Sequence, residues 1–235
     1  MKRIVGIVLV MLPLLVLAAC LDSLQSVMPT RGRGKLDEKT VIAGLKEALR
    51  IGTQNAVDIV SKVNGYYKNP RITIPLPQEL QDVSDVLKKL GLKKKVEEFI
   101  QTMNRAAEEA APKAVDIFVD AIADMSIQDA MGILRGKDNE ATLYFERKTR
   151  GRLYNIFKPI VRRVLNDVGV TRIYKFIIDT YNSVPGTPRV DFDLEDYVTN
   201  KALDGLFTMI ADEEKKIRKD PAARVTELLR KVFGS

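Results

Sequence analysis

From Asp37 to the C-terminus the apolar residues return every three or four positions, and stretches alternating apolar with polar are scarce. A chain with that period buries one stripe per helix and has little with which to build a sheet face. The pattern therefore predicts an all-α fold, a single multi-helix domain over 37–235. Ile42, Leu45, Leu49, Ala56, Ile59 and Val63 mark the first inward stripe, stopped at Asn64-Gly65. The period breaks over Asn69-Pro70-Arg71-Ile72-Thr73-Ile74-Pro75-Leu76-Pro77, where three prolines remove backbone donors and push their predecessors out of the helical region. This short extended, Pro-rich strap reads either as an edge strand or as a band laid across helices.

Further helices are predicted from Gln78 to Leu90, stopped by Gly91, and from Lys93 towards Met125, with Pro112 kinking or splitting the second. Ser126 with Asp129 reads as a variant capping box, opening a helix that ends at Gly136. A helix over Asn139 to Val168 turns Leu153, Ile156, Phe157, Ile160, Val164 and Val168 inward, with a bend expected at Pro159. A segment around Arg172 to Tyr181 and the loop Pro185-Gly186-Thr187-Pro188 come next. Asp193 and Asp196 then cap a helix to about Lys219, with Asp212/Lys216 and Glu214/Arg218 as surface pairs one turn apart. Pro221 opens a last helix whose seam is Val225, Leu228, Leu229 and Val232.

The N-terminus follows other rules. Lys2 and Arg3 precede an uninterrupted apolar run from Ile4 to Leu17, closed by Ala18-Ala19-Cys20. The run is shorter than the roughly 20 residues a bilayer core needs, and no basic stop-transfer cluster abuts it, so residues 1–19 read as a signal peptide. Leu17-Ala18-Ala19-Cys20 resembles a bacterial lipobox. The resemblance implies that Cys20 carries fatty acyl groups such as palmitate, and that the chain is cut just before it. Leu21 in place of Asp implies release to the outer membrane, the domain facing the periplasm. Cys20 is the only cysteine in the chain, so it has no disulfide partner, and lipidation supplies its explanation. Each buried methylene adds roughly 0.8 kcal/mol, which makes anchoring by two or three acyl chains permanent. Residues 20–36, lipidated at Cys20 and carrying Ser23, Ser26, Pro29 and Arg31-Gly32-Arg33-Gly34-Lys35, read as a tether. Extended, it reaches about 55 Å; as a flexible chain it averages nearer ~22 Å.

The formal net charge of +7 falls to +5 once Lys2 and Arg3 leave with the leader. A mildly basic envelope protein favours anionic phospholipid headgroups, lipopolysaccharide phosphates, acidic wall polymers or another envelope protein, and not nucleic acid. The chain contains no histidine, which removes the commonest general base and the commonest metal ligand together. It has no Gly-x-Ser-x-Gly elbow, Ser-x-x-Lys dyad or Walker-type glycine loop, so the familiar nucleophile and phosphate-cradle motifs are absent. Catalysis would fall to paired carboxylates. Asp191-Phe192-Asp193-Leu194-Glu195-Asp196 begins like a calcium loop, but Asp196 stands where the sixth-place glycine belongs and Ala202 where the closing acid belongs. It reads as helix capping, and no metal or cofactor is assigned.

Two groups of residues stand out as sites. Arg147, Lys148, Arg152, Lys158, Arg162 and Arg163 fall within an arc of roughly 160° at 100° per residue, opposite the apolar seam, with Arg150 outside it. This is a candidate anion-binding stripe, or else a solvated face neutralised by Glu109, Asp116, Asp120 and Asp124. Asn104, Arg105 and Glu108 form a candidate polar cluster beside an apolar face, lining a ligand cleft or making a satisfied helix contact.

Several segments carry a family resemblance: Leu45-Lys46-Glu47-Ala48-Leu49-Arg50-Ile51-Gly52, Ile74-Pro75-Leu76-Pro77, Met103-Asn104-Arg105-Ala106-Ala107-Glu108, the run Tyr197 to Phe207, and Pro221-Ala222-Ala223-Arg224. In that order they resemble an uncharacterised bacterial family known as domain of unknown function 4197, over about Leu36 to Ser235. The resemblance implies an exported helical protein without an assigned activity, and no catalytic residue is carried over. The sequence thus predicts a membrane-anchored periplasmic lipoprotein acting as a binding or interaction module of the cell envelope. The alternatives are a carrier of an apolar or lipid ligand and a carboxylate-based hydrolase.

Overall fold

Asp37 opens the first helix, α1 (Glu38–Val60), by accepting the Thr40 N–H at 2.7 Å, as a capping carboxylate does. The computed structural model describes residues 37–233 apart from 90, 168, 170, 173, 176–178 and 180–191. The leader over 1–19, Cys20, the tether to 36, the loop Pro185–Pro188 and Asp191 lie outside the described residues. After α1 come α2 (Gln81–Lys89), α3 (Lys93–Ala110), α4 (Ala114–Ala123), α5 (Ile127–Arg135), α6 (Glu140–Asp167), α7 (Leu194–Lys219) and α8 (Glu227–Phe233). No strand occurs among the described residues, and the fold is all-helical.

Helices α6 and α7 pack on one another at the centre, with α1 laid on α7 and α3 on α6. Phe118 of α4, Phe145 of α6 and Phe207 of α7 meet edge to face, with ring centroids 5.3 and 6.2 Å from Phe118, the arrangement that aromatic quadrupoles favour. Ala106, Ala107, Ala110, Ala111 and Ala114 are fully buried, so the small faces of α3 and α4 let neighbouring helices close in without voids. Pro112 splits the two helices through a 3-10 turn, Ala111–Lys113, whereas α6 continues through Pro159. Leu229 of α8 joins Ala48 and Ile217 in a second, smaller cluster. Among the described residues both clusters draw only on positions 42–233, so this segment carries its own core.

Three inward expectations fail at helix ends and seam edges. α1 stops at Val60, leaving Val63 75% exposed. Asn64 turns the chain with a φ of +70°, and at Gly65 a Cβ would stand 2.5 Å from the Ile59 carbonyl oxygen. The stop motif acts four residues beyond the helix it was read to end. Val225 is 60% exposed because it precedes α8. Ile156, on the edge of the α6 seam next to the cations, is 38% exposed.

The strap is a band across helices. Thr73 donates to the Asn69 carbonyl at 2.8 Å in a turn, and residues 73–77 then run without regular structure. Of the two expected surface pairs, Glu214–Arg218 forms at 3.0 Å, but both partners are covered, at 5% and 16% side-chain exposure. Asp212 pairs instead with Arg71 of the strap, and Lys216 with Glu213 at 2.5 Å.

Candidate functional site

The Asn104, Arg105 and Glu108 cluster lies where α3 meets the strap and the turn after α1. Asn104 is fully buried. Its Oδ1 accepts the Ile74 N–H at 2.8 Å, while its Nδ2 donates to the carbonyls of Ile74 (3.0 Å) and Ile100 (2.8 Å). One amide thus gives Ile74 both bonds that a neighbouring strand would have given it. One turn on, Glu108 Oε1 accepts the N–H groups of Tyr66 (3.1 Å) and Tyr67 (3.2 Å). Its Oε2 accepts from Arg105 Nη1 at 2.5 Å, and Arg105 Nη2 reaches Asn64 Oδ1 at 3.2 Å. The carboxylate is buried, with its hydrogen-bonding capacity committed to the turn and to one guanidinium. The cluster is a clamp on backbone, not a ring of groups aimed into a cleft.

Tyr66, which nothing in the sequence marked, completes the clamp. Its hydroxyl donates to the Ala202 carbonyl at 2.6 Å, and burial pushes the phenol far above its ordinary pKa. The ring lies on Gly205, where a Cβ would stand 2.6 Å from Tyr66 Cε1. The small pair Ala202 and Gly205, one turn apart on α7, forms the slot that receives it.

The basic stripe on α6 is largely matched by acids. Arg152 pairs with Asp120 at 2.8 Å, Lys158 with Asp193 at 3.2 Å, Arg162 with Glu195 at 2.7 Å, and Arg163 with Glu109. Arg150, outside the arc, bridges Glu146 and Asp204. Asp120 and Glu109 belong to the acidic set anticipated on α3 and α4; Asp193 and Glu195 come from the start of α7. Lys148 lies 5.9 Å from the ring centroid of Tyr144. The cations therefore tie α6 to three neighbouring helices.

The acidic run at the start of α7 is part of the same seam. Asp193 caps α7 by accepting the Asp196 N–H at 2.9 Å. Asp196 does not share the capping; its Oδ1 accepts from the Tyr154 hydroxyl at 2.5 Å, and Lys158 Nζ donates to that hydroxyl at 2.9 Å. Those bonds raise the Lys158 ammonium above its ordinary range, Tyr154 contributing most and Asp193 next. Burial works upward on the Asp193 carboxyl, but the Asp196 N–H and Lys158 outweigh it and hold it below the usual carboxylate range. No group of three or more acids or cysteines among the described residues could hold a metal ion.

The burial of a further acid, expected at the surface, escaped sequence reading. Glu214 of α7 accepts the first-turn N–H groups of Ala141 (3.0 Å) and Thr142 (2.9 Å) of α6, together with the Thr142 hydroxyl at 2.9 Å. It is a cap supplied from another helix, placed where the helix dipole favours an anion. The signal was present: Glu213 and Glu214 lie between Ile210 and Ile217, one turn from each, on a face that is apolar on both sides. Beside Glu214 lies a cavity of about 20 Å³, lined by Leu45, Leu49, Phe145, Ile210 and Phe233 among others. It has the space of a single water, against the several hundred Å³ of pockets that enclose ligands of drug size.

What this arrangement does chemically is hold backbone. Asn104, Glu108 and Glu214 face N–H groups, and Arg152, Lys158, Arg162 and Arg163 of the stripe face carboxylates. No helix among the described residues is long and apolar enough to cross a membrane. No curated protein and no solved structure matches the chain. A family model described as "Protein of unknown function (DUF4197)" matches residues 35–234. That match takes in the Asn104–Glu108 clamp, the Ala202–Gly205 slot and the strap between them, and the chain belongs to this DUF4197 family.

Proposed function

We propose that the protein is a lipid-anchored periplasmic protein of the outer membrane whose helical domain serves as a binding or interaction module. One observation supports the choice of module over carrier: the core is closely packed among the described residues. The cavity beside Glu214 has room for about one water, and the buried polar groups of the α3 clamp are already hydrogen bonded to backbone. An acyl chain would have to displace core side chains at roughly 25 cal/mol per Å² of apolar surface. The carboxylate-hydrolase reading needs two acids across a cleft, whereas Glu108 and Glu214 are each enclosed by donors. Activity is left to the surface.

The anchor rests on Leu17-Ala18-Ala19-Cys20 and on Cys20 having no other cysteine to pair with. Metabolic labelling with a fatty acid tests it. The wild-type protein is expected to take up label and Cys20→Ala to take up none. Label on the variant, or none on the wild type, removes the anchor from the reading.

A further inference from the structure

The lysines that open α3 work against their own helix, and those that close α2 suit a helix C-terminus but, among the described residues, tie it to no other element. Lys88 and Lys89 close α2, and Lys93, Lys94 and Lys95 make up the first turn of α3. Three cations at the positive end of a helix dipole oppose that helix, and no acid stands in the first turn to relieve them. The N-cap position falls to Leu92, which has no side-chain capping bond and is 43% exposed. Local chemistry argues against each of these choices at the start of α3. The ion pairs that do form stay within each helix: Lys88 with Asp85 at 3.2 Å, Lys93 with Glu97 at 3.8 Å and Lys95 with Glu98 at 2.7 Å. All are exposed pairs, which contribute little. Among the described residues Lys89 and Lys94 have no acid within salt-bridge distance. The contrast is with α6, whose cations pair across to other helices and are part of the packing.

We infer that this corner is a docking surface for an anionic phospholipid bilayer, with the lysines meeting headgroup phosphates and Leu92 entering the interface between them. An exposed apolar side chain flanked by lysines along the chain has the chemistry of interfacial attachment: charge brings the surface close, and apolar burial holds it. Charge complementarity names the occupant. A tether of residues 20–36 would keep the domain within about 55 Å of such a surface. The inference rests on the anchored reading only for that proximity, so its test uses the untethered domain, and the two fail separately.

The domain from Asp37, which carries its own core, is to be sedimented with vesicles of mixed phosphatidylglycerol and phosphatidylcholine, and with pure phosphatidylcholine, at about 50 and 200 mM salt. Wild type is expected to pellet with the anionic vesicles at low salt and to be released at high salt. Lys88→Gln, Lys89→Gln, Lys93→Gln, Lys94→Gln and Lys95→Gln together should weaken that binding at least tenfold. Leu92→Ser should weaken it severalfold at unchanged salt dependence. Arg147→Gln, Lys158→Gln and Arg162→Gln together, if still folded, should bind as wild type does. Wild type that stays in the supernatant, equal pelleting with neutral vesicles, or loss of binding in the α6 variant with the corner variant unaffected would overturn the inference. Far-ultraviolet circular dichroism separates lost binding from lost folding, since the corner lysines are exposed and their replacement should leave helicity intact.

Discussion

At Asn104 a single side chain decides whether a proline-rich segment can lie in the core. Ile74 is fully buried, and its N–H and carbonyl are both bonded by that one amide. Asn104→Ala would leave two backbone groups dry and unpaired, a loss of about 2–4 kcal/mol. Urea unfolding measures it; a change within about 0.5 kcal/mol of wild type would show that the strap is held otherwise. Glu108→Ala removes an acceptor from two N–H groups and strands Arg105, and should cost about 3–5 kcal/mol. The glycines give a test of sign. At Gly205 a Cβ meets the immobile Tyr66 ring, while at Gly151, mid-helix in α6, it meets nothing within 4 Å. Gly205→Ala should therefore destabilise by about 1–3 kcal/mol through overpacking, and Gly151→Ala should stabilise by up to about 1 kcal/mol through helix propensity. Thermal melts of the pair that moved in the same direction would remove Tyr66 from the role given to it.

Helix starts are the elements most exposed to acid. Asp37 is held below the usual carboxylate range chiefly by the Thr40 N–H, Asp129 chiefly by the Ser126 hydroxyl, and Asp193 by the Asp196 N–H and Lys158 against its own burial. A carboxyl whose folded pKa lies below its unfolded value adds stability that is fully present above about pH 4. That stability is lost as pH falls through the folded value. Melting temperature should accordingly be flat from about pH 5 to about pH 9 and fall below about pH 4. Asp129→Asn and Asp193→Asn should lower the plateau and reduce the acid slope. A double variant with the wild-type slope would place the acid sensitivity elsewhere. α5 shows how local such a start is, since Ser126 and Asp129 cap one another across three residues. α6 shows the opposite, with its first turn capped by Glu214 from more than 70 residues away.

For the whole molecule, that difference marks what could be read in advance. Helical period, the capping box and the split at Pro112 belong to single segments, so composition and spacing along ten or twenty residues were enough to find them. The strap was visible from its prolines, but not its fastening, because Asn104 is 30 residues from Ile74. Glu108 was legible as part of a polar cluster but not by its partners, and Glu214 read as a surface residue; only the approach of distant N–H groups makes burial the lower state for them. The α6 stripe was legible as charge; its partners on α3, α4 and α7 were legible only in part, since Glu109 and Asp120 were anticipated and Asp193 and Glu195 were not. Tyr66 gave no signal, because the slot it fills is made by what Ala202 and Gly205 lack.

Weighing the full-length protein after gentle extraction from the membranes of cells that make it, first denatured and then native, tests most directly whether a lipid-tethered, filled domain works through its surface. The expected denatured mass is that of a chain beginning at Cys20 with covalent acyl groups, and the native mass should be the same. A chain still beginning at Met1 without acyl groups would contradict the tether. A lipid present in the native spectrum and absent from the denatured one would contradict the filled interior, and with it the choice of interaction module over carrier.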